Sequence, residues 1–86
     1  MKYRFSRHAR EEMERRGIPA EIVDSVLQEP QQVIEHPGGK KIYQSKVEFQ
    51  EGKTFLVRVF VAEEGDIPVV VTVYRTSKVQ KYWRQA

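Results

Sequence analysis

Val69-Val70-Val71-Thr72-Val73-Tyr74-Arg75-Thr76-Ser77-Lys78-Val79-Gln80-Lys81-Tyr82-Trp83-Arg84 runs almost to the end of the chain. Its first half is a nearly unbroken β-branched run, the composition of a strand buried at the centre of a sheet. The run leads into Arg75, Lys78, Lys81 and Arg84, interleaved with Tyr74, Tyr82 and Trp83. A rigid strand that delivers cations and aromatic rings to one sheet edge suits phosphate and stacked bases.

Upstream, the pattern is again strand after strand. Gln32 to Glu35 reads as a short strand, and His36-Pro37-Gly38-Gly39 as a turn. Residues 41–50 alternate, with Tyr43, Ser45, Val47 and Phe49 on one face and Gln44, Lys46 and Glu48 on the other. Glu51-Gly52 turns the chain into Thr54 to Val61, where Phe55, Val57, Val59 and Val61 share a face opposite Arg58 and Phe60. Glu63-Glu64-Gly65-Asp66 turns it again, and Val69 to Tyr74 completes a meander. Ser77 to Trp83 reads as one or two turns of helix.

The N-terminal third is helical. Lys2 to Phe5 forms a short edge strand, and Ser6 caps a helix from Arg7 to about Arg16. Gly17 takes the left-handed C′ position, with Ile18 folding back on Met13, and Pro19 starts a second helix at its first turn. Ile22, Val23, Val26 and Leu27 make its apolar stripe, and Pro30 ends it. The expected fold is α+β: an N-terminal helical hairpin packed on a mainly antiparallel three- to five-stranded sheet, in a single domain over residues 1–86.

Composition narrows the function. The chain has 86 residues, a formal net charge of +3 and no cysteine, which excludes disulfides, thiolate catalysis and Cys-based metal sites. No apolar run approaches the roughly 20 residues needed to span a bilayer, so a cytoplasmic protein without membrane contact is expected. From Thr72 onward there are lysines and arginines and no acid, whereas Glu11 to Glu35 is predominantly acidic. Such polarity steers an anionic partner to one side. His8 and His36 are too far apart in sequence for a metal motif, so neither a metal nor a cofactor is expected.

His8 is the first candidate for chemistry. In the first turn of a helix its imidazole stays neutral and available as a base, with Glu11 and Glu12 placed to orient it; the plainer reading is a packed helix-start histidine. Arg58 and Arg75, on adjacent strands, would form an anion cradle if both lay on a sheet face left open by the helices, with Tyr43 or Tyr74 nearby. Alternatively they are exposed strand residues compensated by Glu48 or Glu63. Arg10, Arg15 and Arg16 alternate with Glu11, Glu12 and Glu14, the pattern of a solvated, self-compensating helix face.

Phe5-Ser6-x-His8-Ala9-x-Glu11-x-Met13-x-x-Arg16-Gly17-Ile18, continued by Glu21, Val23, Val26, Leu27 and Pro30, resembles a family of small bacterial proteins known as a domain of unknown function. Val71-Thr72-Val73-Tyr74-x-Thr76-Ser77-Lys78 is similar to the same family. Arg16 to Pro30 and Arg75 to Tyr82 also resemble the BrnT group of RelE/ParE-like toxins. That resemblance implies helices on an antiparallel sheet and, for many members, RNA cleavage.

Two functions follow as expectations. The first is the toxin of a type II toxin–antitoxin system, a metal-independent mRNA endoribonuclease held in check by a cognate antitoxin. His8 or Lys81 would act as base, Arg58 and Arg75 would stabilise the phosphorane, and Tyr82 or Lys78 would protonate the leaving oxygen. Tyr74 or Trp83 would stack a base, with Arg84 among the nucleic-acid contacts. The second is a non-catalytic interaction module that binds a protein partner or nucleic acid through the basic C-terminal sheet edge. A homodimer seamed by Phe60 and Trp83 is a further expectation.

Overall fold

A computed structural model describes residues 2–63 and 65–85; Met1, Glu64 in its expected turn, and Ala86 lie outside them. The elements in chain order are β1 (Arg4–Phe5), α1 (Arg7–Arg16), α2 (Ala20–Gln28), β2 (Gln32–His36), β3 (Lys40–Glu48), a 3-10 turn (Gln50–Gly52), β4 (Thr54–Ala62), β5 (Val69–Thr76) and α3 (Val79–Tyr82). They build an α+β fold on a five-stranded sheet of order β1-β5-β4-β3-β2. The pairings among β2 to β5 are antiparallel, while β1 runs parallel to β5 with Arg4 opposite Val69. The sheet is therefore mixed. α1 and α2 carry the chain from β1 at one edge of the sheet to β2 at the other, and the antiparallel run from β2 to β5 brings it back beside β1.

Local chemistry sets the helix ends. The Ser6 hydroxyl accepts from the Ala9 N–H at 3.0 Å and donates to the Val71 carbonyl at 3.2 Å, so one side chain caps α1 and ties it to β5. At the other end Gly17 sits at φ 64°, and the Ile18 N–H bonds the Met13 carbonyl at 2.9 Å. This is the glycine-terminated cap that brings Ile18 back to the core. α1 packs along β5, and α2 packs across β4 and β3.

Ala9, Met13, Ile18, Val23, Val26 and Leu27 from the helices meet Val57, Val59, Val61, Val70 and Val73 from the sheet in one buried cluster. Val59 pairs with Val73, Val61 pairs with Val70, and a bulge at Phe60/Val61 takes up the extra residue. The β-branched run is therefore not buried throughout. Val70 and Val73 are fully buried, while Val69 and Val71 are half-buried.

The second sheet face is not open as expected. Leu56 is fully buried there, together with Gln44, Ile42 and Arg58. The segment through α3 to Arg84 lies over it, with the Gln44 amide donating to the Tyr82 carbonyl at 3.2 Å. No helix is long and apolar enough to cross a membrane among the described residues.

Candidate functional site

Strand alternation places Arg58 and Arg75 on opposite faces, which corrects the expectation of a shared cradle. Arg75 pairs with Val57 and so faces the helices, whereas Arg58 pairs with Tyr74 on the other side. Arg58 is only 8% exposed. Its Nε donates to Gln44 Oε1 at 2.8 Å and its Nη1 to the Tyr74 hydroxyl at 2.6 Å. The Tyr82 ring covers its guanidinium at 4.5 Å. Glu63, one expected compensator, pairs instead with Lys41 at 3.2 Å.

Arg75 lies at the end of β5 with its guanidinium 4.4 Å from the Phe49 ring and 4.7 Å from the Phe55 ring. Among the described residues it makes no ion pair. Stacking of a planar, weakly hydrated guanidinium on two rings fixes its direction while its N–H groups stay available. Gly17 lies beside it: a Cβ there would stand 3.9 Å from Arg75 Nη2, in ordinary van der Waals contact, so glycine is required by its left-handed φ of 64° and not by the arginine's approach.

Two clefts meet at this arginine. One, of about 670 Å³, is lined by Glu14, Arg15, Arg16, Gly17, Phe55, Arg75, Thr76 and Ser77. The other, of about 590 Å³, lies towards Pro19, Ile22, Phe49 and Lys53, with Glu48 on its rim. In the first, the end of α1 and the end of β5 converge, so Arg15, Arg16 and Arg75 stand beside the Thr76 and Ser77 hydroxyls. Glu12 organises the helix side: Arg15 Nη2 bonds its carboxylate at 2.6 Å and Arg16 Nε bonds it at 2.9 Å. Those two bonds hold the Glu12 carboxyl down at about 2. Each arginine keeps further N–H donors beyond them. The result is a concave, cationic, donor-rich end that suits an oxyanion.

The sequence had assigned Arg15 and Arg16 to a solvated face. Only tertiary packing of Gly17 against Arg75 brings them into the cleft, and the Arg16-Gly17 pair was its sole sequence trace.

The other candidates are dispersed. His8 is exposed, near the α1 start that Ser6 anchors to Val71. The Gly17 end lies roughly 13 Å further along the helix at about 1.5 Å per residue. Lys78 and Lys81 are exposed, as is Arg84, whose backbone bonds Gln32. Trp83 is half-buried, with Lys46 Nζ 4.1 Å from its ring. Phe60 is likewise half-buried, 5.4 Å from the His36 ring, so the expected dimer seam is partly used within the chain. His36 ends β2 rather than lying in the loop. No group of three or more His, Asp or Glu that could hold a metal occurs among the described residues.

The family model described as "Domain of unknown function (DUF4258)" matches residues 5–75. Neither the curated proteins nor the solved structures give a match.

Proposed function

The chain belongs to the DUF4258 family, and on that premise we propose that it is an interaction module that holds single-stranded RNA at its basic end. The observation that carries this reading is the convergence of Arg15, Arg16 and Arg75 with Thr76 and Ser77 in one cleft. Guanidinium groups and hydroxyls at that spacing bind backbone phosphates without reading sequence. Lys78, exposed just beyond Ser77, extends the cationic track. Tyr74, whose ring lies 5.9 Å from the Arg16 guanidinium, offers an aromatic surface beside it.

An endoribonuclease toxin remains the second reading, favoured by the exposure of the His8 side chain. With His8 as the base it requires RNA long enough to reach from the Arg75 cleft back along α1, because His8 lies near the other end of that helix. Binding alone needs no such span.

The test pairs fluorescence anisotropy of a labelled ten-nucleotide single-stranded RNA with growth of a bacterial host after induction. Wild-type protein should bind, and Arg75→Met, which keeps the packing on Phe49 and Phe55, should weaken binding about tenfold, the usual scale for one charge-assisted contact. Equal binding by both would refute the proposal. Growth arrest with loss of mRNA that His8→Ala abolishes would instead support the toxin.

A further inference from the structure

The C-terminal segment lies on the second sheet face like a strap, and its main chain is recognised by side-chain amides. Gln44 Nε2 donates to the Tyr82 carbonyl at 3.2 Å and Gln32 Nε2 donates to the Arg84 carbonyl at 2.7 Å. The Arg84 N–H donates back to Gln32 Oε1 at 3.1 Å, and Gln44 Nε2 bonds the same oxygen at 2.7 Å. Between these points Trp83 is extended, at φ −74° and ψ 124°. Linked amides that pair with the carbonyl and N–H groups of an extended stretch recognise peptide backbone, whatever the side chains.

The charges fit this occupant poorly. Beneath the strap lies Arg58, 8% exposed, hydrogen-bonded to a neutral amide and a neutral phenol. It makes no ion pair among the described residues. A buried cation without a counter-ion is costly, and the rings of Tyr82 and Phe60, at 4.5 and 5.5 Å, offset only part of that cost. The strap that covers it carries Lys78, Lys81 and Arg84 and no acid. Like charge lies over like charge, and α3, four residues long, has no buried residue of its own.

We infer that this face is a docking groove for an extended acidic peptide of a partner protein, occupied by the chain's own basic strap when the partner is absent. The ligand keeps the main-chain bonds to Gln32 and Gln44. At the position Tyr82 now holds, a carboxylate pairs with Arg58, and the displaced strap exchanges repulsion for solvent. Peptide is favoured over nucleic acid because the groove's polar groups already pair with a peptide's carbonyl and N–H. The inference does not rest on the RNA reading, whose arginines Arg15, Arg16 and Arg75 line the cleft between the ends of α1 and β5; the two readings share only Tyr74 and Lys78.

The test uses two fluorescein-labelled nonapeptides titrated into the full chain. One is the 77–85 segment with Trp83→Phe alone; the other adds Lys78→Glu, Lys81→Glu, Tyr82→Glu and Arg84→Glu. The chain has one tryptophan, so Trp83 emission reports strap release directly. The acidic peptide should bind at least about tenfold tighter than the basic one and shift Trp83 emission to the red. Arg58→Met should erase that preference. Should Arg58→Met fail to fold, Tyr82→Ala in the strap should raise acidic-peptide affinity with the groove untouched. Equal binding of the two peptides, an unmoved Trp83, or a preference lost in Arg75→Met but kept in Arg58→Met would overturn the inference. Displacement of the acidic peptide by a ten-nucleotide RNA would assign the groove to nucleic acid and overturn it too.

Discussion

Leu56→Ala tests whether the sheet has two covered faces. Leu56 is fully buried although it points away from the helices, opposite the Val57 side, so its cover must come from the C-terminal segment. Truncation removes about three methylene equivalents at about 0.8 kcal/mol each. The cavity that remains between a rigid sheet and a tethered strap brings the expected cost to about 3 kcal/mol. In a domain of this size such a loss lowers Tm by about 12–24 °C. Urea denaturation followed by circular dichroism should show a lower midpoint with an unchanged m-value, which separates lost stability from a changed denatured state. Val33→Ala, at a residue 48% exposed, is the control and should stay within about 0.5 kcal/mol of wild type. A Leu56→Ala cost below about 1 kcal/mol would refute the reasoning, because a leucine on an open face loses little.

Two further outcomes follow from local chemistry. Gly17→Ala forces a Cβ into the left-handed region at φ 64° and should cost about 1 kcal/mol in urea denaturation; an unchanged midpoint would contradict the cap assignment. Burial, with the Asp24 carboxylate that its hydroxyl bonds at 2.9 Å, pushes the Tyr3 phenol up from 10.0 to about 12. Because the folded pKa is the higher one, this contribution is intact below pH 10 and is lost as pH rises through about 12. Alkaline denaturation of Tyr3→Phe should therefore lose part of the slope over that window, and an identical slope would count against the bond.

Much of the fold was legible because it rests on short-range chemistry. Ser6, Gly17 and Pro19 announce helix ends through caps and fixed dihedrals, and alternation in residues 41–50 and 54–61 announces strands. Three features were not legible. The parallel pairing of β1 with β5 joins residues some sixty positions apart, and no local signal encodes it. The faces of Arg58 and Arg75 depend on cross-strand register, and two central strand cations look alike in sequence. The strap rests on side-chain-to-backbone bonds between Gln32 and Arg84 and between Gln44 and Tyr82, which a hydropathy pattern does not reveal. The candidate site failed to show for the same reason. Arg15 and Arg16 read as solvated partners of Glu12, and they are that too; their convergence on Arg75 is tertiary.

The salt dependence of RNA binding tests the central claim most directly. If Arg15, Arg16 and Arg75 each neutralise a phosphate, log K against log salt concentration for a ten-nucleotide single strand should fall with a slope of about −2. Arg15→Gln combined with Arg75→Met should bring the slope to about −0.7. A slope unchanged by the double substitution, or no binding by the wild-type chain at low salt, would contradict the account.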